Sequence, residues 1–284
     1  MTASSHSTAA LGAFKGRLAL VGAGKMGSAM LEGWLALGLD PASVTVIEPS
    51  PAPEVAALTK RGVRVIAEAA KESAMKADTM DTIVLAVKPQ VAPAIMAGLK
   101  PLATAKTLTI SIMAGQTIAA VAGAIGGAVV RAMPNTPAAI GRGMTVAVAN
   151  AAVTDTHRAL AHALLAANGK VEWVADEALM DAVTAVSGSG PAYVFLLVEC
   201  LAQAGVAAGL APDLALALAR ETVAGSGELL HRSTLDAATL RKNVTSPGGT
   251  TAAALDVLMA RDGLAPLMQK AVAAATQRSR ELAG

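Results

Sequence analysis

The chain has 284 residues, 54% of them hydrophobic, and its 23 basic and 21 acidic residues leave a formal net charge of +2. That is enough material for one large or two ordinary cores, and the charges are spread without any Lys/Arg run interleaved with aromatics, which argues against nucleic acid as a partner. A single cysteine, Cys200, excludes an intramolecular disulfide and a thiolate-built zinc cluster; it reads as inert core in a reducing compartment.

Residues 1–15 open on a small, polar stretch with neither the positive n-region nor the apolar h-region of a secretory signal, and are expected to be a flexible extension of a cytoplasmic protein. From Arg17 to about Val174, short β-rich runs alternate with helical patterns, the arrangement of parallel strands joined by crossover helices. The expected strands are Arg17–Val21, Val44–Glu48, Val63–Ile66, Thr82–Val87, Thr107–Ile112 and Val129–Met133, with Thr145–Val148 and Val171–Val174 as later additions. Helices are expected over Lys25–Leu37 and Pro53–Arg61. The mean hydropathy of +0.52 is high, so a membrane span has to be weighed over the uncharged stretch Thr107–Val130. Gly115, Gly123 and the Gly126-Gly127 pair break that stretch into strand, helix and strand, and no span is expected.

After Asp176 the residues are dominated by Ala and Leu in long helical runs, interrupted by turn signals at Gly209–Pro212 and Ser246–Gly249. The chain therefore reads as α/β: a doubly wound, Rossmann-like domain over 16–175 followed by an all-α domain over 176–284. An apolar bundle of about 110 residues buries its excess surface by pairing with a second copy, so a homodimer is expected rather than a monomeric cap.

The chemistry begins at Gly22-Ala23-Gly24-Lys25-Met26-Gly27, a G-x-G-x-x-G pattern between a buried strand and a helix. Gly22 permits the tight turn, Gly24 lets backbone approach a pyrophosphate, and Gly27 allows helix to pack on strand, with unpaired helix N–H groups facing the anion. Glu48 stands 21 positions beyond Gly27 at the end of the second strand, where an acid accepts from the adenosine ribose hydroxyls and repels a 2′-phosphate. It also reads as a solvated strand-end charge, and Ser50 is placed to donate to such a phosphate, so NADPH and NADH both stay open as cofactors. Ala86-Val87-Lys88-Pro89 and Met113-Ala114-Gly115 follow two further strands and are expected on the nicotinamide side of the cleft. Two prolines stiffen the loop Arg131–Pro137, and Pro191 in Ser187–Tyr193 marks a new helix start. The glycine-rich turn Lys242–Thr251 opens another helix and gathers hydroxyls and free N–H groups, a cradle for a small carboxylate. No metal is called for.

In their order, G-x-G-x-M-G, A-V-K-P, R-x-M-P-N-T-P, S-G-S-G-P-A-Y and V-T-S-P-G-G-T-T resemble the pyrroline-5-carboxylate reductases along nearly the whole chain. The resemblance implies reduction of a cyclic imino acid to proline by NADPH or NADH, the last step of proline biosynthesis. It also implies a helical dimerisation domain with interleaved helices, a ring of dimers in some members, and an active site at the dimer interface. By position, Gly22 to Gly27 would bind the pyrophosphate and Ser50 would lie near the ribose. Ala86–Pro89, Met113–Gly115 and Asn243 would border the cofactor, and Ser246, Gly249, Thr250 and Thr251 would hold the substrate. Two departures concern the cofactor: Glu48 replaces a small or hydroxyl residue, and Ala69 an asparagine used near the adenosine.

A protonated five-membered imine needs only to be held near nicotinamide C4 in a dry site, which agrees with four histidines (His6, His157, His162, His231) outside every motif. Thr251 is the expected catalytic residue, its hydroxyl bonded to the ring nitrogen. Two competing readings fit less well. A β-hydroxyacid dehydrogenase would supply a lysine from the helical half, and Val171–Arg241 contains none. A nucleotide sensor without turnover would show an eroded substrate turn, whereas Ser246–Thr251 is intact.

Overall fold

A computed structural model describes residues 11–68 and 79–283; Ala69 lies outside them. The described residues form two compact units. One runs up to Gly188 and takes in the chain from Thr276 onward, and the other is Ser189–Ala275.

The first unit is built on an eight-stranded sheet. Its strands are β1 (Leu18–Val21), β2 (Val44–Ile47), β3 (Arg64–Ile66), β4 (Thr82–Leu85), β5 (Leu108–Ser111), β6 (Ala128–Met133), β7 (Gly143–Ala149) and β8 (Gly169–Trp173), in the order β3-β2-β1-β4-β5-β6-β7-β8. Helices α1 (Lys25–Ala36), α2 (Pro53–Ala57), α3 (Ala92–Leu99), α4 (Ile118–Ala124) and α5 (Asp155–Ala166) are the connections. Strand side chains alternate between two cores: Leu18 and Leu20 join Trp34 and Leu164 on one face, while Ala19 and Val21 join Met96 and Val121 on the other. Both faces are covered, so β1, β2, β4 and β5 are buried at every residue; they are short β-rich runs in which Thr45, Thr82, Thr109 and Ser111 are buried beside the aliphatic side chains. Trp34 is fully buried and satisfies its indole by donating Nε1–H to the Leu164 carbonyl at 2.7 Å.

All eight expected strands are present, but the sheet is not parallel throughout. β6 and β7 pair antiparallel, Met133 opposite Val146. The Pro134–Arg142 connection holds only a short 3-10 turn and lacks the long crossover that parallel neighbours require. The expected helix over Pro53–Arg61 tightens into a 3-10 turn at Leu58–Arg61. Thr107–Val130 is β5, α4 and the start of β6, as its glycines indicate.

The described remainder is helical: α6 (Met180–Val183), continued by a π-helical turn over Thr184–Gly188, then α7 (Gly190–Ala207), α8 (Pro212–Arg232), α9 (Ala237–Asn243), α10 (Thr250–Leu258) and α11 (Leu264–Ala283). Within the first unit the end of α11 is anchored by the Ser279 hydroxyl, which donates to Asp181 Oδ1 at 2.7 Å. In the second unit small residues bring α7 and α8 together: a Cβ at Gly205 would lie 3.2 Å from that of Ala215. This unit has almost no core of its own. No residue of α7 or α10 is buried, and α8 buries only Ala215 and Ala219. Phe195, Val257, Met259 and Leu267 are each about 60% exposed or more. Cys200 is exposed too, which corrects the expectation of a core cysteine: α7 carries apolar residues all round and one chain buries none of them fully.

Candidate active site

The strand order reverses between β1 and β4, and in sheets of this kind ligands sit outside the carboxyl ends of the strands at that point. There the glycine motif turns from β1 into α1. Gly22 has φ +90°, and a Cβ on it would lie 2.7 Å from the Ala86 carbonyl oxygen, so the turn closes on β4 only with glycine. A Cβ on Gly27 would strike the Gly22 carbonyl oxygen, which keeps α1 hard against the turn. Gly24 is the opposite case. It is the N-cap of α1, no side chain caps the helix, and a Cβ there would meet no atom within 4 Å. Uncapped N–H groups beside open space fit a dinucleotide pyrophosphate.

A cleft of about 480 Å³ opens from this turn, lined by Gly22, Gly24, Glu48, Glu68, Ala86, Val87 and Lys88 among others. Glu48, half-buried at the end of β2, accepts the Ala23 N–H on Oε2 at 2.9 Å and the Ser50 N–H on Oε1 at 3.2 Å. Its carboxylate thus ties the glycine turn to the loop after β2, which makes it more than a solvated strand end. Lys88 precedes the short turn Pro89–Val91 in extended backbone, as a residue before proline should.

Not every expected cofactor residue lines this cleft. Ala23 and Ser50 meet it through their amides on Glu48, and Lys25 and Met26 begin α1. Met113, Ala114 and Gly115 form the turn beyond β5, with Met113 buried in the core and Gly115 at φ +71°. Arg131 proves to be a buried strand residue: Nη1 pairs with Glu177 Oε1 at 2.8 Å, and the same oxygen accepts the Ile118 N–H. Asn135 accepts the Met144 N–H on Oδ1 at 2.8 Å, pinning the proline-rich loop to β7. Glu68 escaped the sequence reading; its position two residues past a β-rich run was the available signal.

In the second unit Asn243 ends α9, and the chain then forms the turn into α10. Gly248 has φ +70° and the Gly249 N–H donates to the Ser246 carbonyl at 3.0 Å. Gly249 is the N-cap, again with no side-chain cap, and the first helical bond runs from Ala253 N–H to the Gly249 carbonyl. The amides of Thr250, Thr251 and Ala252 precede that bond and have no helical acceptor. Ser246 and Thr250 are exposed and Thr251 is half-buried, so this turn offers hydroxyls and N–H groups to a small anion.

Comparison with known proteins agrees with both halves of the chain. Residues 177–282 match the family model described as pyrroline-5-carboxylate reductase dimerisation, and residues 17–115 match one described as NADP oxidoreductase, coenzyme F420-dependent. A pyrroline-5-carboxylate reductase of Pseudomonas aeruginosa is 39% identical over 269 residues, covering 94% of this chain and 97% of its own. The chain belongs to the pyrroline-5-carboxylate reductase family. The solved reductase of Coxiella burnetii superposes with a TM-score of 0.86 at 34% identity, over 95% of this chain and all of that one. The Plasmodium falciparum enzyme, solved with NADP bound, superposes at 0.78 with 30% identity over 95% and 99%. The family read from the motifs, the α/β fold with a helical dimerisation domain and the use of a nicotinamide cofactor are thereby borne out.

Proposed function

We infer that this chain reduces the cyclic imine of 1-pyrroline-5-carboxylate to proline, with the turn Ser246–Thr251 as its substrate site. The observation that carries this is that each unit holds an uncapped helix start opening on glycine: one beside a dinucleotide-sized cleft, the other rimmed by hydroxyls. NAD(P)H supplies the hydride when bound. The residues that would hold it are Gly22, Ala23, Gly24, Lys25, Met26 and Gly27 at the pyrophosphate and Glu48 and Ser50 towards the ribose. Ala86, Val87, Lys88, Pro89, Met113, Ala114 and Gly115 border the nicotinamide side, and Asn243 is a further contact.

The N–H groups of Thr250 and Thr251, at the helix start that Gly249 caps, hold the substrate carboxylate, with Ser246 beside them. The Thr251 hydroxyl bonds the ring nitrogen, orients the C=N bond and favours its protonated, electrophilic form. No side-chain acid is needed, because the substrate nitrogen carries its own proton into the reaction and keeps it in proline.

The same reading accounts for the exposed apolar surface. Glu177–Ala207 is long and apolar enough to cross a membrane. Yet it carries Glu199 within α7, and it lies in the region that matches the dimerisation family. A second copy of the chain covers this surface, giving a cytoplasmic homodimer with dimers able to assemble into a ring, and no membrane contact.

The test is oxidation of NADH and NADPH by purified protein given pyrroline-5-carboxylate, with proline identified as product. Thr251→Ala is expected to lower kcat/KM for the imine by about 10²-fold, the scale on which misplacing a reacting group by about 1 Å is felt, with nucleotide affinity unchanged. Unaltered kinetics would remove Thr251 from the site.

A further inference from the structure

We propose that the β2 and β3 ends of the cleft select NADH over NADPH, through two carboxylates acting together, Glu48 and Glu68. The proposal rests on the reading of this cleft as the nicotinamide-cofactor site and assigns its specificity. The strand order β3-β2-β1-β4 places the residues after β2 and β3 side by side on the adenosine half of the cleft, and Glu48 and Glu68 both line it there.

The geometry of Glu48 carries the argument. Its two oxygens each take one backbone N–H, from Ala23 and from Ser50, so the carboxylate is held in place on the cleft wall. A carboxylate has about four lone-pair sites, so each oxygen can still accept one more donor. The 2′- and 3′-hydroxyls of an NADH ribose bring such donors. A 2′-phosphate brings charge close to −2 and acceptor oxygens only, and it would face a carboxylate held by a backbone N–H on each oxygen. Glu68, two residues past β3, lines the same end of the cleft. Among the described residues lining the cleft the one cation is Lys88, which follows β4; β1 stands between it and β2. The Ser50 amide, a donor at this end of the cleft, is already engaged by Glu48.

The test compares NADH with NADPH in two ways on the intact protein: dissociation constants from nicotinamide fluorescence, and kcat/KM for pyrroline-5-carboxylate reduction. Both are expected to favour NADH by about tenfold or more, the scale on which one misplaced charge discriminates ligands. Glu68→Gln should narrow the ratio through NADPH alone, and Glu48→Gln should narrow it further. Raising the salt from 50 to 500 mM should narrow the wild-type ratio, as screening of exposed charge requires. Equal or tighter NADPH binding by the wild type, or a ratio that neither substitution moves, would overturn the proposal. A chain that binds NADH preferentially but does not reduce the imine would overturn the reaction and leave the specificity standing.

Discussion

The two units solve the problem of burial in opposite ways. In the sheet unit, β1, β2, β4 and β5 bury every residue and each face has its own apolar cluster, so the hydrophobic effect is satisfied within one chain. In the helical unit the residues are at least as apolar, yet α7 and α10 bury nothing and Phe195, Leu197 and Leu201 stand 62%, 52% and 43% exposed. The lesson is that secondary structure and core are separate achievements. The helices form because Ala and Leu favour them locally, but their packing energy has to come from another copy of the chain.

The most severe way to break that contrast is to charge the helical face. Leu197 and Leu201 lie one turn apart on α7, and aspartates at both would leave unpaired charges buried in a dimer. The substitutions should weaken self-association by about 10³-fold or more, since each such charge costs several kcal/mol. Size-exclusion chromatography with light scattering should show a monomer, and NADH fluorescence should show the sheet unit still binding nucleotide. A double variant that remains dimeric would place the interface elsewhere.

A smaller effect probes the sheet unit from within. Glu177 Oε1 takes hydrogen bonds from both Arg131 and the Ile118 amide, joining β6 to the start of α4, and the Arg131 side chain is only 7% exposed. Glu177→Ala would strand a buried guanidinium and should cost about 3 kcal/mol, read as a lower urea midpoint. Arg131→Met with Glu177→Met should recover part of the loss, because it removes the stranded charge but still leaves the Ile118 amide without its acceptor. A single variant as stable as the wild type would show that water already serves the arginine.

These sites also mark how far sequence carries. The glycine turn was legible residue by residue, because only glycine tolerates φ +90° against the Ala86 carbonyl. Every strand was legible too, since each is a short run rich in β-branched and aliphatic residues between turn signals. The direction of β7 was not, for a proline-rich connection fixes a turn without saying where the chain goes next. Arg131 was read both as the middle of an expected strand and as the start of a proline-stiffened loop, and its ion pair was not legible because its partner lies 46 residues away, a separation at which sequence carries no pattern. Glu48 was visible as a charge at a strand end, but its grip on the Ala23 amide needs three dimensions. Cys200 was misjudged for the reason that governs the whole helical unit: burial was inferred from apolarity, and apolarity reports burial somewhere, including against another chain.

With so little core to hold it, the helical unit should be sensitive to its helix caps, and Asp236 gives the finest test. It caps α9, accepting the Thr239 N–H and the Thr239 hydroxyl at 2.9 Å each. The backbone bond, then the hydroxyl, holds its carboxyl below the usual carboxylate range. A depressed folded pKa means that the contribution is fully present above the unfolded value, about 3.9, and is lost as the pH falls through the folded one. Asp236→Asn keeps a competent cap but cannot titrate. The wild type should therefore melt slightly above the variant at pH 6, and the gap should close below about pH 4 as the carboxyl takes up its proton. Melting temperatures recorded for both proteins from pH 6 to pH 3 would decide it. A gap that stays constant across that range would mean that the charge on Asp236 contributes nothing and that α9 is held by its packing alone.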